Sequence, residues 1–162
     1  MSKPKNSIQK SKSKPGKPAR ARGKDRLPLS DSLMEDPDLL RQIIDCIPNG
    51  LLLFDPQHRL IAYNENYREL SGLNKKDLEG NPTFKEILQK VVVKNKLIDT
   101  GKSSRRWIKE CLASFRNPTA PLEVSYHDGR TIKIQDRCTD SGYTVRTYED
   151  ITELKNRERG LL

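Results

Sequence analysis

Few residues in this chain are of the types that do chemistry, and their spacing argues against most of it. Cys46, Cys111 and Cys138 form no CxxC pair and have no histidine at zinc-like spacing, so they read as buried or half-buried thiols in a reducing compartment. His58 and His127 fall in predicted turns between strands, where an imidazole is ordinarily a solvated polar group. No GxSxG, HExxH, Walker-type glycine loop or paired-carboxylate pattern occurs, and neither do GGDEF or EAL sequences. No catalytic residue and no metal ligand is assigned, and the chain is read as non-enzymatic. Tyr67, Trp107, Cys111 and Tyr126 are the side chains that could line a small cavity for an apolar or aromatic ligand. Each is equally at home in an ordinary core. Arg146 alternates with Val145 and Thr147 in a predicted strand and is expected to face solvent or a dimer partner. Turned inward, it would need an acid beside it.

The elements that must position these side chains belong to a chain of 162 residues, enough for one ordinary domain. Its charge of +9 is unevenly spread. Residues 1–30 carry ten of the 31 basic residues and one of the 22 acids, so the remainder holds 21 of each and is neutral. That basic segment, with its tract KSKSKPGKPARARGK, has too little apolar surface to offset the entropy of ordering it, and disorder is expected. It could neutralise phosphates on nucleic acid or anionic lipid, but it has no aromatic residue for stacking on bases. No stretch approaches the roughly 20 apolar residues needed to span a bilayer. The N-terminus also lacks the apolar region of a secretory signal. A cytoplasmic protein is expected.

Asp36-Pro37 signals a helix start, and Leu39, Leu40, Ile43, Ile44 and Ile47 give that helix one apolar face up to Pro48-Asn49-Gly50. A hairpin follows, Gly50–Phe54 and Leu60–Tyr63, turned at Asp55-Pro56. Asn64 caps a short helix with Tyr67 and Leu70 inward and Gly72 at its end. Asn74 and Asp77 mark another, and Thr83 with Glu86 form a capping-box pattern ahead of Phe84, Ile87, Leu88, Val91 and Val92. A polar break at Asp99–Ser104 leads to a helix bearing Trp107, Ile108, Cys111, Leu112 and Phe115, which ends at Asn117-Pro118. The period then changes to two: Leu122, Val124 and Tyr126 alternate with polar residues. Asp128-Gly129 predicts a type I′ turn, and Ile132 and Ile134 continue the alternation. Asp140-Ser141-Gly142 turns into a strand over Tyr143–Tyr148. Ile151–Leu162 reads as a final helix with Ile151, Leu154 and Leu161 on a partner-facing seam. Hairpins at both ends must share one antiparallel sheet covered by the central helices, an α+β architecture.

Together GLLLFDPQHRLIAYNENYRELSGL at residues 50–73, GYTVRTYEDIT near the end and this element order resemble a PAS domain over about Leu39–Leu154. The middle, FKEILQKVVVKNKLI with the Trp-bearing helix, resembles a subgroup often found upstream of histidine kinases and cyclic-di-GMP enzymes. The resemblance implies a five-stranded antiparallel sheet with helices on one face, sometimes a ligand pocket, and dimerisation through flanking helices. It assigns Asp150, Ile151 and Thr152 to a signal-relay joint between the last strand and the exit helix, where Asp150 could cap that helix. Haem-binding relatives use a helical histidine and flavin photosensors an NCRFLQ-like run; neither is here. No cofactor is expected, the interior is read as filled, and a small-molecule ligand is left open. The expected organisation is a disordered basic tail (1–30), an N-terminal flanking helix (31–48), the PAS domain (49–150) and a C-terminal signalling helix (151–162). The expected function is a non-catalytic sensor and interaction module acting as a homodimer, or docking an effector protein, through residues 36–47 and 151–162. Two alternatives stand beside it. In one, the tail drives binding to nucleic acid or an anionic surface and the domain dimerises it. In the other, the chain is a sensor fragment of a histidine kinase or diguanylate cyclase.

Overall fold

The two ends of the chain meet in one five-stranded antiparallel sheet of order β2-β1-β5-β4-β3, with β1 Gly50–Phe54, β2 Leu60–Tyr63, β3 Leu122–Ser125, β4 Thr131–Cys138 and β5 Thr144–Asp150. The computed structural model describes residues 35–94, 103–118 and 120–160. The expectations for the basic tail, for most of the polar break and for Leu161 and Leu162 lie outside the described residues. Helices precede and follow the sheet (α1 Pro37–Asp45, α6 Thr152–Glu158), and four fill the middle: α2 Glu65–Ser71, α3 Lys75–Leu78, α4 Phe84–Lys94 and α5 Ser104–Arg116. The α+β fold class holds, and the join between the ends is the β1–β5 ladder, Gly50 opposite Tyr148 through Phe54 opposite Thr144.

The helix starts follow from capping chemistry. Asp36 accepts from the amides of Asp38 and Leu39 at 3.0 and 3.1 Å. Asn74 and Asp77 form a reciprocal capping box. The Thr83 amide donates to Glu86 Oε2 at 2.6 Å while the Glu86 amide donates to Thr83 Oγ1 at 3.3 Å. Gly72 closes α2 in the left-handed conformation.

All three hairpins turn the same way, and not by the type I′ geometry expected at Asp128-Gly129. Each has a three-residue loop closed by a backbone pair, Asp55 to Arg59, Tyr126 to Arg130 and Thr139 to Tyr143. Only the third loop residue is left-handed: His58 (φ 60°), Gly129 (φ 89°) and Gly142 (φ 88°). Asp128 stays at negative φ because the loop holds one residue more than a type I′ turn. The strand β5 also starts one residue later and runs two further than expected, to Asp150.

One core lies between the helices and one sheet face. Leu52, Phe54, Leu60, Val124, Ile132, Ile134 and Tyr148 from the sheet pack with Tyr67, Leu78, Phe84, Ile87, Leu88, Val91, Cys111 and Phe115 from the helices. The other parity of the strands (Leu51, Leu53, Gln135, Val145, Thr147) is half-buried. By contrast α1 buries no residue, and Leu40 and Ile43 are 45% and 44% exposed. Cys111 sits in the core as expected; Cys46 and Cys138 are exposed rather than half-buried. Both lie at element ends, the cap of α1 and the last residue of β4.

Candidate sensor core and exit joint

The alternation of β5 turns Thr144, Arg146 and Tyr148 inward, and it carries Arg146 into the core with them. Arg146 is 1% exposed, which corrects the expectation that it faces solvent. The acid it needs is Asp136, directly opposite on β4. Arg146 Nη1 donates to Asp136 Oδ2 at 2.8 Å, and Nε donates to the Tyr148 hydroxyl at 3.0 Å. The guanidinium carbon lies 4.6 Å from the centre of the Phe84 ring, 5.6 Å from that of Tyr148 and 5.9 Å from that of Phe115. A buried cation is thus held by one carboxylate, one phenol and aromatic faces. Burial pushes the Asp136 carboxyl above the usual aspartate range, against the pull of Arg146. Asp136 Oδ1 is buried and accepts no hydrogen bond from the described residues.

Tyr67, Trp107, Cys111 and Tyr126 are brought together around one enclosed space next to this pair, with Arg146 and Tyr148 completing the wall. Its volume is about 30 Å³, room for one or two waters. Burial raises the phenols of Tyr67, Tyr126 and Tyr148, so all three remain neutral donors and acceptors at physiological pH. The Tyr67 and Tyr148 rings are 4.9 Å apart, and the half-buried Trp107 stands at the helical side. The wall therefore offers phenols, a thiol and an indole, and its one charge is already paired. His58 is half-buried edge-on to Phe115, with ring centres 5.0 Å apart, while His127 is exposed in the β3–β4 turn.

At the other end of the sheet, Asp150, Ile151 and Thr152 form a built joint. Ile151 is buried and its amide donates to the Thr131 carbonyl at 2.9 Å. Thr152 Oγ1 accepts from the Thr131 amide at 2.9 Å and donates to Asp150 Oδ1, which also accepts the Thr152 amide at 3.0 Å. Asp150 was expected to cap the exit helix, but Ile151 occupies the N-cap position, without a side-chain cap. The aspartate sits one residue too early because β5 runs through Asp150, and it orients Thr152 instead. One turn on, Lys155 reaches Glu123 of β3 at 3.0 Å, and this contact holds its ammonium above the usual lysine range.

Asn64 anchors the entry in the same way. Fully buried, it accepts from the amides of Leu51 (2.8 Å) and Tyr67 (3.1 Å) and donates to the carbonyls of Ile44 (3.0 Å) and Asn49 (2.8 Å). It therefore caps α2 and ties the end of α1 to β1, a role its place before a helix indicated only by half. The signal for Arg146 was its shared parity with Tyr148; that for Asp136 was its position two residues beyond Ile134.

Residues 44–159 match the family profile described as PAS fold, and the chain belongs to the PAS family of signalling sensor modules. It is 28% identical over 119 residues to the non-motile and phage-resistance protein of Caulobacter vibrioides, covering 74% of this chain and 13% of that much longer one. Similar solved structures include the PAS domain of Bordetella pertussis BvgS (18% identity, 82% of this chain and 97% of that one, TM-score 0.44). Another is the PAS domain of an HTR-like protein from Haloarcula marismortui (13% identity, 74% and 95%, TM-score 0.43).

Proposed function

We propose that this chain is a non-catalytic sensor and interaction module of cytoplasmic signal transduction. It acts through its flanking helices, residues 36–47 and 151–162, as a homodimer or on an effector protein. Residues 49–150 are the sensing body in this reading. The observation that carries it is the contrast at α1. The helix exposes Leu40 and Ile43 on an apolar face, yet its C-terminal end is fixed to the sheet by the buried Asn64. A helix both unpartnered and rigidly attached is suited to transmitting a change in the sheet to whatever covers it. The Asp150–Thr152–Thr131 bonds give α6 the same attachment at the exit.

The interior supports a sensor whose input is mechanical, or a ligand no larger than the space among Tyr67, Trp107, Cys111 and Tyr126 can admit after rearrangement. No helix among the described residues is long and apolar enough to cross a membrane. Native mass spectrometry of the full chain with an absorption spectrum tests the reading. The expected result is a dimer mass without a chromophore. A monomer at tens of micromolar that binds no candidate partner would overturn it, while a visible chromophore would overturn the expectation that no cofactor is bound.

A further inference from the structure

A second apolar surface lies away from both flanking helices, along the outer side of α5 where it packs against α4. A groove of about 640 Å³ runs there, with Ile108 and Leu112 half-buried in its floor. Its rim is basic: Arg105, Lys109 and Arg116 from α5, and Lys85 from α4. Residues 105, 108, 109, 112 and 116 follow helical spacing, so apolar floor and basic rim form one continuous stripe along α5. None of the four cations forms an ion pair among the described residues, whereas the neighbouring Arg106 is paired with Glu110 at 3.1 Å. Among the described residues, the charge of this stripe is uncompensated.

We propose that the α4–α5 groove is the docking site for an acidic amphipathic helix of a partner protein. Leucine-like side chains would enter between Ile108 and Leu112, with carboxylates on Lys85, Arg105, Lys109 and Arg116. The thirteen residues of α5 give the stripe a length of about 20 Å at roughly 1.5 Å per residue, enough for three turns of a partner helix. Charge complementarity decides the occupant's sign, and the concave apolar floor decides its class. A nucleic acid would present phosphates to the rim but nothing apolar to the floor, and no aromatic side chain lines the groove for a base to stack on. A bilayer needs apolar side chains that protrude, whereas Ile108 and Leu112 are half-buried while the rim cations are exposed. This docking site is independent of the flanking-helix reading, so either can fail alone.

The test is fluorescence anisotropy of the full chain with a labelled helical peptide of about 14 residues, leucines at i, i+3, i+4 and i+7 and glutamates on both sides. Saturable binding is expected, weakened about tenfold or more by Arg105→Glu with Arg116→Glu. Tail substitutions Lys10→Glu with Lys14→Glu should leave it unchanged, and replacing the peptide leucines by serine should abolish it. Lys85→Glu, on the other helix of the groove, gives a second reading should the double variant not fold, and is expected to weaken binding too. The proposal is overturned if affinity survives these groove substitutions or if the serine peptide binds as well. It is equally overturned if a DNA duplex or phosphatidylserine vesicles bind in an Arg105- and Arg116-dependent way while the peptide does not.

Discussion

Asp136 and Arg146 face each other across β4 and β5 with side chains 5% and 2% exposed, so neither charge is relieved by water. Removing one partner strands the other. Asp136→Ala should cost about 3–5 kcal/mol in urea unfolding, while Asp136→Leu combined with Arg146→Met should recover most of that loss. A double variant as unstable as the single would mean the ion pair itself, and not the stranded charge, dominates. Asn64 is the other residue on which much depends: Asn64→Ala leaves two buried amides and two carbonyls without their partners. A loss of about 2–4 kcal/mol is expected, together with faster amide exchange at the end of α1. Neither residue's weight could be read from the sequence. A strand of period two places a charge on one of two faces, and nothing local says that the face shared with Tyr148 is the buried one. An asparagine before a helix announces a cap, but not the long-range bonds to Leu51, Ile44 and Asn49 that come with it.

Local chemistry was far more legible for whole elements. The capping pairs at Asp36, Asn74 and Thr83–Glu86 fixed helix starts because their partners lie within three residues. The Thr83 amide and hydroxyl hold the Glu86 carboxyl below the usual glutamate range. Its contribution is therefore fully present above the ordinary glutamate pKa and fades as pH falls through the lowered folded value. Glu86→Gln should flatten the acid limb of the stability–pH curve measured by thermal unfolding; an unchanged limb would remove the capping box from the account. Turn type was legible only in part, since Asp-Gly serves both two- and three-residue loops, and the count depends on where the flanking strands pair. His58, left-handed in its loop, marks the one hairpin that lacks glycine at that position. At the exit, Thr152→Val removes the hydroxyl joining Asp150 to the Thr131 amide. Hydrogen exchange over 152–158 and at the Thr131 amide should quicken while β5 and the rest of β4 stay protected; slowed or unchanged exchange would mean the joint carries no restraint.

At the level of the molecule, the element order and the pairing of both terminal hairpins in one sheet were readable because each apolar face had no other place to go. The space among Tyr67, Trp107, Cys111 and Tyr126 was readable as a location but not as a size, which depends on packing that no periodicity records. The flanking helices leave Leu40 and Ile43 of α1 half-exposed on a rigid mount, and Leu154 of α6 54% exposed. The most direct measurement of the central claim is sedimentation equilibrium of the full chain beside its Leu40→Glu/Ile43→Glu variant. The account predicts a dimer for the natural sequence at tens of micromolar and a folded monomer for the variant. A natural chain that stays monomeric and binds no candidate partner, or a variant that dimerises equally well, would contradict it.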